Sequence, residues 1–132
     1  MMTRACLLAA MLTTSAATAQ TTMTADAFDA YTRGQTFYYG STGSPYGAEE
    51  YLDNRRVRWS FLDGDCEEGR WYEEDGLICF VYENRSEPQC WSFTRTDGGL
   101  VARFENVPNQ TELYEVFKSD EPLVCPGPDV GV

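Results

Sequence analysis

GRWYEEDGLICFVYENRSEPQCWSFTRTDGGLVARF, residues 69–104, holds two Asp-Gly pairs, each set between runs rich in apolar and aromatic residues. Asp-Gly is the strongest short signal for a β-hairpin, because a type I′ turn needs positive φ at both central residues. With Asp75-Gly76 as a turn, Glu74 faces Leu77 and Trp71 faces Phe80. With Asp97-Gly98 as a turn, Thr96 faces Gly99, Phe93 faces Ala102 and Trp91 faces Phe104. The connection through Asn84 to Glu87 joins the two hairpins, with Pro88 opening the next strand, and sets Ile78 opposite Trp91. Trp71, Ile78, Phe80, Trp91, Phe93, Ala102 and Phe104 then share one face. A slip of one residue would scatter them, so the turns and the apolar pattern support one register.

The same register puts Cys79 opposite Cys90 on the other face. Directly opposed Cα atoms in a non-hydrogen-bonded antiparallel pair lie about 4.5 Å apart, within disulfide range. That pairing leaves Cys66 with Cys125. In the chain-entropy picture the short bridge contributes about 3 kcal/mol and the long one about 4 kcal/mol.

Outward from this segment the period of two continues. Val57, Trp59 and Phe61 alternate with Arg56, Arg58 and Ser60, the pattern of a half-buried strand. Trp59, Trp71 and Trp91 are expected to share one core. Thr111 to Lys118 carries apolar residues on both faces, as a strand closing a barrel seam would. Gln35 to Tyr39 reads as a short strand, and Gly40 to about Tyr51 as a loop. Thr24 to Arg33 reads as the one helix, with Thr24 to cap it and Gly34 to end it. The expected fold is mainly β: a single antiparallel meander of about seven strands, forming a small barrel or half-barrel, with one short N-terminal helix.

Met1 to Ala19 has the order of a secretory signal peptide: Arg4, the apolar run CLLAAML, then Ala17-Thr18-Ala19 as a small-x-small cleavage site. The run is too short to span a bilayer. Residues 20–132 would then form a single disulfide-stapled domain. Cleavage removes Cys6 and leaves four cysteines, as expected for two disulfides in an oxidising compartment.

The 132 residues include 21 Asp and Glu, 10 Lys and Arg and no His, for a net charge of −11. A chain this acidic does not suit nucleic acid, which needs a basic face. Without His there is no His-based triad, acid–base pair or metal site. No GxSxG, P-loop or dinucleotide motif occurs, so neither an enzyme nor a cofactor is expected. Asp63, Asp65, Glu67 and Glu68 lack the spacing of an EF-hand loop and read as solvated turn charges. Sequons at Asn84 and Asn109 matter only in a glycosylating host.

Two clusters are candidates for binding. Arg56 and Arg58 share the polar face of one strand. They either pair across strands with acids or contact an anion. Tyr38, Tyr39, Tyr46 and Tyr51 lie in or beside the Gly- and Ser-rich stretch. They either plug one end of the barrel or present rings to a glycan or protein.

The stretches FDAYTRGQTFYYG, PYGAEEYL, GRWYEEDGLICFVYE, PQCWSF and EPLVCPGPDVGV together resemble a family of small exported alphaproteobacterial proteins of unknown function. The resemblance implies a bacterial host, hence a periplasmic or secreted location and inert sequons, and it brings no active site. Two functions are expected from this reading. One is an exported cell-envelope binding or accessory module for a small ligand, glycan or neutral or basic protein. The other is an acidic inhibitor of a cationic enzyme such as a lysozyme, with the basic partner steered by charge. A monomer with no membrane span is expected.

Overall fold

The computed structural model describes residue 15 and residues 21–107 and 112–125. The expected signal peptide, the Asn109 sequon and the end of the tail lie outside the described residues. Eight antiparallel strands follow one another in a closed barrel. They are β1 (Thr36–Gly40), β2 (Gly47–Tyr51), β3 (Arg56–Ser60), β4 (Glu67–Glu74), β5 (Leu77–Tyr82), β6 (Gln89–Thr96), β7 (Gly99–Phe104) and β8 (Glu112–Ser119). The helix α1 (Ala25–Thr32) precedes them.

The register read from the turns is the register of the barrel. Trp71 pairs with Phe80, Ile78 with Trp91, Cys79 with Cys90, Phe93 with Ala102 and Trp91 with Phe104. Both disulfides form, Cys79–Cys90 with a Cα separation of 4.0 Å and Cys66–Cys125 with 5.6 Å. Two disulfides fit an oxidising compartment. No helix among the described residues is long and apolar enough to cross a membrane.

The structure corrects several expectations. The stretch read as a loop up to Tyr51 contains β2, paired with both β1 and β3, so the described residues hold eight strands, close to the expected number of about seven. Asp75 and Gly76 both take positive φ, as a type I′ turn requires. In the second hairpin positive φ falls on Gly99 rather than on the Asp97-Gly98 pair. A glycine just after the turn takes the left-handed conformation without the steric cost Asp97 would carry. β3 stops at Ser60, and Leu62 turns through positive φ, so Phe61 leaves the inner face and is exposed. Trp71 is buried, whereas Trp59 and Trp91 are only partly buried against the same core.

The two ends of the barrel differ. The β4–β5 and β6–β7 turns, the start of β1 and the end of β2 lie at one end, and α1 covers it. Thr24 caps α1 by accepting the Ala27 N–H at 3.2 Å, and Gly34 at φ +80 takes the chain out of it. Phe28 is fully buried between the rings of Tyr51, Trp71 and Phe93, at centroid distances of 5.5, 5.2 and 4.5 Å. The Tyr31 hydroxyl donates to Glu115 at 3.1 Å, and Lys118 and Arg95 sit over its ring.

β8 closes the seam on β1, from Thr36↔Ser119 to Gly40↔Tyr114, with a bulge between Tyr38 and Tyr39. Both faces of β8 are used: Leu113 is buried inside, and Phe117 stacks on Tyr38 outside at 4.2 Å. After β8 the chain turns back along the outer wall as a strap. Thr36 Oγ1 donates to the Glu121 carbonyl at 2.8 Å, the Leu123 N–H donates to Glu50 Oε2 at 2.7 Å, and Cys125 bonds to Cys66.

Candidate functional site

The end of the barrel opposite α1 carries the connections 41–46, 61–66 and 83–88. A cavity of ≈ 80 Å³ runs inward from it, bordered by Tyr46, Phe61 and Arg85 from those connections and by Glu49, Tyr39, Tyr51 and Tyr82 deeper in. A water molecule takes up about 30 Å³ in the liquid, so this space holds roughly two or three.

The alternation of β2 decides what the cavity contains. Along a strand successive side chains point to opposite faces. Glu50 therefore points outward, under the strap, and Glu49 points inward, flanked by Phe37 on β1 and Trp59 on β3. Glu49 is only 2 % exposed. The Tyr82 hydroxyl donates to its Oε1 at 2.9 Å, while Oε2 has no partner among the described residues. Beside them the Tyr39 and Tyr51 hydroxyls share a hydrogen bond of 2.9 Å.

Two glycines make the arrangement possible. A Cβ at Gly47 would collide with the Trp59 indole, and one at Gly69 would lie 2.8 Å from the Tyr82 ring. Each glycine leaves the space that an aromatic ring on the next strand occupies. The Tyr82 ring lies over Gly69 with its hydroxyl at Glu49.

The electrostatics follow from burial. Burial pushes the Glu49 carboxyl well above the usual carboxylate range. The Tyr82 hydrogen bond opposes the rise, and the nearby Glu67 adds to it. Burial likewise raises the Tyr39, Tyr51 and Tyr82 hydroxyls well above their ordinary value. Glu67 borders the same cavity. Its Oε1 faces the Arg85 guanidinium at 3.7 Å, and its Oε2 is buried without a partner among the described residues.

A carboxyl raised in the fold holds its proton more tightly there than in the unfolded chain. Below the usual carboxylate range both states are protonated and Glu49 leaves stability unaffected. As pH rises above that range the unfolded chain ionises first, so stability falls until the folded group ionises as well. Glu49→Gln should remove this slope. Its denaturation midpoint, compared with wild type, should gain steadily as pH rises from the acid range to neutrality. Parallel pH profiles for the two proteins would show that Glu49 is ionised or solvated throughout.

The rim is aromatic and exposed. Tyr46 and Phe61 are each 44 % exposed and meet Trp59 edge-on, at 6.0 and 5.4 Å between centroids. Trp91, which also lines the cavity, packs on Phe104 at 5.0 Å.

The sequence candidates are divided among several places. Tyr39 and Tyr51 lie inside the barrel, and Tyr46 stands at the rim. Tyr38 is on the outer wall against Phe117. Arg56 and Arg58 are on the outer wall of β3. Arg58 bonds Glu68 at 2.6 Å and faces Glu50 at 3.6 Å, and Arg56 reaches Glu68 at 4.0 Å. These arginines answer acids of their own sheet and do not join the cavity. Asp63 and Asp65 are exposed beside the rim. Among the described residues no group of three or more His, Cys, Asp or Glu side chains could hold a metal ion. Glu49, Tyr82 and Arg85 were not among the sequence candidates, and Glu67, read as a solvated turn charge, instead opens β4 and lines the cavity. The one signal for Glu49 was its place two residues before Tyr51, in a chain whose strands alternate.

Comparison with protein-family models, curated proteins and solved structures finds no match for this chain.

Proposed function

We propose that this protein is an exported cell-envelope binding module that takes a small ligand into the open end of its barrel. The observation that carries this reading is Glu49 Oε2, a buried oxygen without a partner among the described residues, beside a cavity with an exposed aromatic rim. Buried polar atoms in folded proteins are almost always paired, and an unpaired one costs about 1–3 kcal/mol. A ligand that supplies the missing hydrogen bond removes that cost. An apolar cavity with a few convergent polar groups is also the usual form of a small-molecule site.

Xenon, a neutral apolar atom small enough for the cavity, tests the reading. Its NMR shift should move saturably with added protein, at one atom per chain, and lose that dependence in Ala102→Phe, which fills the cavity. A folded wild-type protein that gives no saturable shift would refute the binding site.

The exposed rim supports a second reading, an acidic inhibitor of a cationic enzyme. Phe61 and Leu62 project beside Asp63 and Asp65, and exposed apolar residues ringed by charge suit a protein contact. Salt-sensitive inhibition of a basic lysozyme by a protein that does not bind xenon would favour it.

A further inference from the structure

The contents of the cavity restrict the chemistry of what it takes. Two carboxyl oxygens without partners among the described residues border it, Glu49 Oε2 at its depth and Glu67 Oε2 nearer the rim. As carboxylates, both would accept hydrogen bonds from a ligand. The cation at the rim, Arg85, faces the other oxygen of Glu67. An anionic ligand would meet two acids with one guanidinium already engaged. A quaternary ammonium would bring positive charge but no N–H for either oxygen. A protonated primary amine brings charge and three donors on one small nitrogen.

We propose that the cavity is a site for a small primary ammonium compound, whose nitrogen donates to Glu49 Oε2 while its short alkyl body lies among Trp59, Trp91 and Phe80. The proposal rests on the reading of the cavity as a ligand site and adds the chemical class of the ligand. The remaining N–H groups have acceptors to hand in Glu67 Oε2 and in the Tyr39–Tyr51 hydroxyl pair. Aromatic faces also attract a desolvated cation. The volume of ≈ 80 Å³ suits an amine head and a compact body and excludes a folded peptide.

Binding carries a proton balance. Glu49 favours its protonated form in the empty barrel, and the amine arrives protonated. Pairing them as ammonium and carboxylate sends the Glu49 proton to solvent, so affinity should rise with pH. The other groups facing the site are Tyr39, Tyr46, Tyr51, Tyr82, Glu67 and Arg85. The tyrosines stay protonated near neutrality, since burial raises them.

Calorimetry with ethylammonium and ethanol tests this, with xenon as the probe of the cavity itself. Ethylammonium should bind roughly tenfold or more tighter than the alcohol, as charge-assisted hydrogen bonds imply. Its affinity should increase as pH rises above the usual carboxylate range, with proton release measured in buffers of different ionisation enthalpy. In Glu49→Gln the preference for the amine over the alcohol should fall to near parity. Should that variant not fold, Tyr82→Phe, which removes the hydrogen bond favouring the carboxylate, should reduce the same preference. Equal binding of amine and alcohol by a wild-type protein that still takes up xenon would overturn the amine assignment and leave the ligand site standing. An amine preference that survives in Glu49→Gln would overturn it too. Failure to bind xenon, amine and alcohol alike would remove the ligand site itself.

Discussion

Phe28→Ala should unfold at a much lower urea concentration than wild type, with a loss of about 3–5 kcal/mol. Phe28 is fully buried and reaches the rings of Tyr51, Trp71 and Phe93 from a helix of eight residues. A helix that short is not stable alone, and its packed side chains hold it in place. Truncation would leave a void at the closed end and free α1 from the barrel. A domain of this size is typically stable by only 5–15 kcal/mol, so the variant could lose a third or more of its margin. Trp71 fluorescence in a urea titration reports the change. Phe28→Leu, which fills most of the volume, should lie between the two. An unchanged midpoint for Phe28→Ala would mean that the helix does not dock.

The second large effect concerns the strap. Replacing Cys66 and Cys125 together by Ser should cost about 4 kcal/mol, against about 3 kcal/mol for the same change at Cys79 and Cys90. The difference follows from sequence separations of 59 and 11, because a longer loop restricts the unfolded chain more. Loss of the long bridge also weakens what the strap covers. Glu50 is 6 % exposed and accepts the Leu123 N–H. With the strap loose, Glu50 would keep Arg58 but lose its backbone donor. Denaturation of both double variants under the same conditions tests the order. A larger cost at Cys79 and Cys90 would show that the strap adds little beyond its covalent link.

Residues 69–104 were legible because everything that fixes their register is local. A turn of two residues sets each hairpin, and the alternation on either side confirms it. The strand β2 was not legible for the opposite reason. Its Glu49-Glu50 pair reads as solvent-facing, yet each acid is buried by something distant in sequence: Glu49 by Tyr82, Glu50 by Leu123. Periodicity within a window cannot register a partner 33 or 73 residues away. The site was legible to the same partial degree. Tyr39, Tyr46 and Tyr51 stood out as aromatics in a loop-like stretch. The acid between them became visible only once β2 took its place in the wall.

The seam joins the first strand to the last, Thr36 beside Ser119, with roughly eighty residues between them. Contacts at that distance cost the most chain entropy to make and tend to slow folding. In a chain made N-terminus first, β1 exists long before β8. Until then β1 has an open edge, which is where strands from separate chains join. The hairpins of residues 69–104 need no such wait, and Cys79 and Cys90 face each other within them. Cys66 and Cys125 meet only after β8 has passed and the strap has turned back. The architecture thus orders biogenesis in time, with an early crosslink inside a hairpin and a late one that locks a finished wall.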